Sequence, residues 1–250
     1  MRQIPRNLIK HLEWEPGRQT PTPPQPPIPP ANAGIQSLSD AWEISGVQYR
    51  NDIYTVDLGK ALLDNGNGKT QDEWVTYSEA ALDRDDFRTP DYPLLYGIVK
   101  SLYTQRNDST KSAEIAEAQK FLKDTSRAKW LMTLTRIKYQ HSNDIIVHNH
   151  GTRSPYEKSL HFVGPDEYIT DTKDIKPYQA LLDTADGVDE IKGAFEWLNG
   201  TNTYLWRVNS KDNTERVARF YANSGRAYLC CYRDPSNSNA SLGVRIRKKI

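Results

Sequence analysis

The chain has 250 residues, 37% apolar and 26% charged, enough for one sizeable core, and its 33 Lys and Arg against 32 Asp and Glu leave a formal net charge of +1. No bulk field therefore draws it to nucleic acid or to a membrane surface, and no apolar window has the length of a membrane span. The two cysteines, Cys230 and Cys231, are adjacent and cannot close a constraining loop, so disulfides are not expected to hold the fold.

Residues 1–14 lack the apolar run of a signal peptide, which points to synthesis in the cytosol and leaves attachment to a virion or cell surface open. Leu8, Ile9, Leu12 and Trp14 can form one short amphipathic turn. Residues 15–38 read as a proline-rich linker, since EPGRQTPTPPQPPIPPANA favours polyproline II geometry and serves as a semi-rigid spacer or a PxxP ligand.

The main domain is expected over 39–250. WEISGVQYRNDIYTVDLG alternates as two strands around YRND, and EWVTYSEAALD starts as strand or loop and turns helical at Ser78. Two helices are predicted. SAEIAEAQKFLKD carries Ile115, Ala116, Gln119, Phe121 and Leu122 near a 3.6-residue period, and SRAKWLMTLTRIKYQ puts Trp130, Leu131, Leu134 and Ile137 on one side. DIIVHNH follows as a short strand and SLHFVGPDEYI as a strand and turn. GAFEWLNG, TYLWRVNS, TERVARFYANS and RAYLCCYRD, parted by turn-forming runs, predict a C-terminal antiparallel meander. The basic end, Arg245, Arg247, Lys248 and Lys249, reads as a solvated tail.

Candidate chemistry is sparse. His148 and His150 share a strand face, but no third ligand, HExxH or CxxC accompanies them, so they read as packing or surface histidines and no metal is expected. Asp64, Asn65, Asn67 and Gly68 are oxygen-rich without the spacing of a calcium or phosphate loop, and read as a hairpin or surface turn. Thiol catalysis at Cys230 or Cys231, with His148, His150 or His161 as base, has no supporting spacing.

The last strand says more. A period of two puts Tyr228, Cys230 and Tyr232 on one face and Leu229 and Cys231 on the other, which makes the latter the core pair. Outward tyrosines offer broad contact area at low entropic cost.

RFYANSGRAYLCCYRDPSNSNASLGVR resembles the end of the variable proteins of diversity-generating retroelements, in which an error-prone reverse transcriptase alters template adenines, typically in AAY codons. Such codons never yield Trp, Lys, Glu, Gln or Met, and none of these occurs from Arg216 to Arg247. The resemblance implies an α+β chain of the C-type lectin fold, with two helices and a variable region over about 204–245. It implies a frame of Phe220, Ala222, Arg226, Leu229, Cys231, Arg233, Pro235 and Leu242–Arg245, Gly243 included. Between these lie the implied ligand-binding positions Tyr221, Asn223, Ser224, Gly225, Ala227, Tyr228, Cys230, Tyr232 and Asp234. LGVR is similar to the closing strand of that fold. No EPN or WND triplet is present, so calcium-dependent sugar binding does not follow. The expected protein binds diverse macromolecules, chiefly proteins, without cofactor or catalysis. The alternatives are a formylglycine-generating type of cysteine enzyme, for which a vicinal pair is a poor match, and a structural virion protein.

Overall fold

A computed structural model describes residues 33–161, 166–208 and 213–250. The expected amphipathic turn at 1–14 and most of the proline-rich linker lie outside the described residues. Among the described residues the chain is mixed α+β, with five helices and two sheets.

The first hairpin forms as predicted, with β2 (Ala41–Tyr49) and β3 (Asp52–Leu62) antiparallel. Strict alternation could not bury both Ile44 and Val47. A bulge at Ser45–Gly46, with Gly46 at φ 78°, shifts the register so that both reach the core. β1 (Gly34–Ser37) pairs with β2, so the folded domain starts before Ser39, inside the stretch assigned to the linker. β11 (Leu242–Lys249) pairs with β3 and completes the order β1-β2-β3-β11. The basic end is therefore a paired strand and not a solvated tail: Arg245 and Arg247 both bond to Asp57 Oδ2, and Lys249 pairs with Asp52.

A 3-10 turn at Leu63–Gly66 leads into α1 (Gln71–Leu82), with Lys69 paired to Asp64 at 2.6 Å. Helix α1 starts well before Ser78 because Thr70 and Glu73 close a capping box around its first turn. α2 (Tyr92–Gln105) has no counterpart among the predicted elements. Asp91 caps it through Leu94 N, and it is buried almost all round, so no amphipathic stripe marks it in the sequence. A Cβ on Gly97 would lie 2.3 Å from Gln48 O, so only glycine lets α2 approach β2 this closely.

α3 (Ser112–Ala128) matches the first predicted helix. The second is overturned: 131–138 form β4 (Leu131–Lys138), the third strand from one edge of a seven-stranded sheet. Both faces of β4 are covered, with Met132 and Leu134 packing beside Trp74 and Leu131 and Ile137 on the main core, so an apolar run without alternation mimics a helix. The sheet adds β5 (Asp144–His148), β6 (Tyr156–Leu160), β7 (Glu167–Tyr168), β8 (Thr203–Trp206), β9 (Glu215–Ala222) and β10 (Ala227–Arg233), in the order β6-β5-β4-β9-β10-β8-β7.

The C-terminal meander is corrected in two respects. GAFEWLNG belongs to α5 (Val188–Asn199), which follows the short α4 (Lys176–Leu182); its Ile191, Ala194, Phe195 and Leu198 form a helical stripe. β8 pairs parallel with β10, and β11 leaves for the other sheet. Only β9 and β10 form the expected hairpin. Its inner face packs on α2 and α5: Phe195 lies 5.8 Å from Tyr96 and 5.5 Å from Phe220, and Tyr139 donates to Cys231 O at 2.9 Å.

Candidate binding face

Alternation on β9 and β10 sends Phe220, Ala227, Leu229 and Cys231 inward, all 2% exposed or less. The other face carries Tyr221 and Tyr228, directly opposite each other in the register, with Tyr204 of β8 opposite Tyr228 and Tyr168 of β7 opposite Tyr204. Leu131 pairs with Phe220, so Trp130 stands across from Tyr221. Five rings from five neighbouring segments thus form one cross-strand row. Their centroids are 4.9 Å (Tyr168–Tyr204), 5.9 Å (Tyr204–Tyr228), 6.1 Å (Tyr228–Tyr221) and 4.5 Å (Tyr221–Trp130) apart.

A second rank lies beside the row. Trp206 is 5.8 Å from Tyr228 and stacks on Tyr232 at 5.7 Å with planes 10° apart. Tyr232 is 44% exposed, the most open ring of the group. Arginines cover three places: Arg226 over Tyr204 at 4.4 Å, Arg219 over Trp130 at 4.7 Å and Arg233 over Trp206 at 5.7 Å. Arg219 is also held by Asn239 Oδ1 at 2.7 Å, whereas Arg226 and Arg233 have no carboxylate partner among the described residues. The result is an aromatic surface with Arg226 and Arg233 at its edge and Arg219 buried beneath it, suited to contact with flat or acidic groups.

The predicted site residues divide into three groups. Tyr221, Tyr228 and Tyr232 stand on this face, and Ser224 and Gly225 are exposed at the β9–β10 turn. Asn223 and Asp234 also lie at turns, but their side chains are occupied. Asn223 Oδ1 accepts from Gly225 N and Arg226 N, both at 2.9 Å, and Asp234 Oδ1 accepts from Ser236 N and Oγ, which holds the Asp234 carboxyl below its usual range.

Two expected contact residues are not at the surface. Ala227 shares the inward parity of Leu229. Cys230 has the outward parity but no exposure, because its register neighbours Trp206 and Arg219 flank it with far larger side chains. Of the expected frame, Phe220, Leu229, Cys231 and Gly243 are buried. Arg226 and Arg233 instead belong to the aromatic face. Trp130, Tyr168, Tyr204, Trp206 and Arg219 complete the face and were not predicted as site residues. The alternation in TYLW carried the signal for Tyr204 and Trp206, whereas Trp130 was hidden by the helix assigned to its segment.

Burial pushes the Cys230 thiol up and the Cys231 thiol well up, the opposite of what a nucleophilic thiolate requires. His148 is engaged at both ring nitrogens, with Thr135 Oγ1 and Ala180 O each at 3.1 Å, and burial lowers it to about 4. His150 is half-buried and also lowered by burial, while His161 is exposed. Among the described residues no three His, Cys, Asp or Glu side chains gather into a metal-binding group, and no helix is long and apolar enough to cross a membrane. No protein-family model, curated protein or solved structure matches the chain.

Proposed function

We propose that this is a non-enzymatic binding protein of the C-type lectin fold, whose C-terminal surface is diversified by retroelement mutagenesis of adenine-containing codons and whose targets are macromolecules, chiefly proteins. The observation that carries the reading is the row Tyr168–Tyr204–Tyr228–Tyr221–Trp130 on strands whose opposite face is sealed by Phe220, Leu229 and Cys231. Variety is tolerated where a side chain contributes little to the core, since core truncations cost about 2–5 kcal/mol and exposed changes stay near 0.5. Further support comes from β11, whose Leu242–Arg245 close the four-stranded sheet against β3.

Sequencing the locus across independent isolates tests the mechanism. Replacements are expected to concentrate at Tyr221, Ser224, Gly225, Tyr228 and Tyr232, with Phe220, Leu229 and Cys231 constant and a template repeat and reverse transcriptase gene nearby. Changes spread evenly along the chain would overturn it. The same rings with Arg226 and Arg233 also favour a second reading, stacking of unpaired nucleic-acid bases. Selection of a library varied at these positions against protein and single-stranded oligonucleotide panels separates the two, and the near-zero net charge favours protein.

A further inference from the structure

A cavity of about 230 Å³ shares no residue with the aromatic face. Tyr49 and Tyr54 of the first hairpin form part of its wall, Leu134 and Ile246 add apolar surface, and Arg88 enters from the segment between α1 and α2. Arg50 and Arg153 also line it, and no Asp or Glu does.

The three guanidiniums differ in what already holds them. Arg153 is committed to Glu79 and Asp83, at 2.9 and 2.8 Å. Arg50 donates to Ser154 O at 2.8 Å and lies over the Tyr156 ring, but its Nε is buried with no acceptor. Arg88 has a fixed backbone, bonded both ways to Val244 at 2.9 and 2.8 Å, yet its guanidinium has no hydrogen bond or ion pair among the described residues. Burial pulls its pKa down, against the opposing influence of Tyr49, Asp91 and Glu79.

The nearby acid does not fill this gap. Asp91 is sealed beneath Tyr49, with one oxygen accepting from Leu94 N and the other from Tyr49 OH, so it offsets charge without reaching the cavity. The half-buried Arg88 guanidinium, a fork of donors left without acceptors, carries a desolvation cost that an incoming oxyanion would offset, whereas the sealed Nε of Arg50 leaves that residue to act through its charge and its outer nitrogens.

We propose that this cavity binds a small oxyanion-bearing molecule, with one carboxylate or phosphate group held by Arg88 and Arg50 and a compact apolar or ring-sized body against Tyr54 and Leu134. The volume falls below the roughly 300–1,000 Å³ of drug-sized sites, which limits the ligand to about one ring. The inference is independent of the diversified face.

The test is titration of the full chain with benzoate, phenyl phosphate and inorganic phosphate at constant ionic strength, using sodium chloride as the blank. Saturable one-to-one binding of at least one probe is expected, and the preferred probe tells carboxylate from phosphate. Arg88→Gln should weaken it at least about tenfold, Arg88→Lys by less, and Tyr228→Ala not at all. Should Arg88→Gln fail to fold, phenylglyoxal labelling of the native protein read by peptide mass spectrometry supplies the second measurement, with the bound probe protecting Arg88. No saturable binding of any probe up to about 10 mM, binding unchanged in Arg88→Gln, or labelling unaffected by a bound probe would overturn the proposal.

Discussion

Phe220 and Tyr221 are neighbours on β9 and face different surroundings: Phe220 packs 5.5 Å from Phe195 inside the core, while Tyr221 stacks 4.5 Å from Trp130 on the open face. Their truncations should therefore differ severalfold in cost. Phe220→Ala is expected to lose about 3–5 kcal/mol, and Tyr221→Ala about 1–1.5, mostly from its stack on Trp130. Urea unfolding of the two variants gives the comparison. Equal losses would mean that Tyr221 is part of the core, and the face would then lose its claim to tolerate change.

Two buried groups set opposing pH dependences. Burial raises the Asp91 carboxyl from 3.8 to about 6, so the folded state holds a proton that the unfolded chain has released, and stability from this group grows as pH falls from 6 toward 4. Burial lowers His148 from 6.5 to about 4, so the unfolded chain takes up the proton first and stability is lost over the same interval. Each effect amounts to about 3 kcal/mol and they nearly cancel. Asp91→Asn should unmask the loss, giving a protein that weakens on acidification between pH 6.5 and 4. His148→Gln should reverse the slope. Denaturation midpoints across that range decide it, and parallel profiles for the two variants would refute the assignment.

The sequence disclosed those parts of the fold whose environments differ from one side to the other. β10 alternates between core and surface, so Leu229 and Cys231 were legible as its inner pair, and α3 has one wet and one dry face. β4 and α2 are enclosed on both sides and gave no usable period. Cys230 shows a second limit: parity gives the direction of a side chain, but exposure depends on the size of its neighbours on adjacent strands. Arg219 comes from the hairpin partner β9, but Trp206 comes from β8, whose parallel pairing with β10 is a matter of topology and register that a linear reading does not reach.

Asp57 anchors the chain's last strand. It has no exposed surface, and its Oδ2 accepts from Arg245 and Arg247, which remain 18% and 35% exposed. Removing the carboxylate leaves two cations facing a buried gap between β3 and β11. Asp57→Ala should cost about 3 kcal/mol, the low end for a buried pair because both arginines reach water, while Arg247→Ala should cost no more than about 1. Hydrogen exchange should show the β11 amides losing protection ahead of those in β9. Uniform loss across both sheets would argue against a local anchoring role.

A combinatorial library gives the strictest test of where diversity can be carried. A Cβ on Gly225 would meet nothing closer than Asn223 Oδ1 at 3.6 Å, so that position, with Ser224, should accept most residues with changes of about 0.5 kcal/mol, while Tyr228 and Tyr232, which give up ring contacts on replacement, should accept them at about 1–1.5 kcal/mol. Cys230 and Ala227 have no exposed surface, and large residues there should be rejected at a cost of about 1–3 kcal/mol from overpacking. Asn223 should tolerate Asp better than Leu, because its side-chain oxygen holds the Gly225 and Arg226 amides. Sorting displayed variants by protease resistance and sequencing the survivors reads all of these positions at once. Free replacement at Cys230 together with intolerance at Gly225 and Tyr228 would invert the pattern and remove the physical basis for a diversified face.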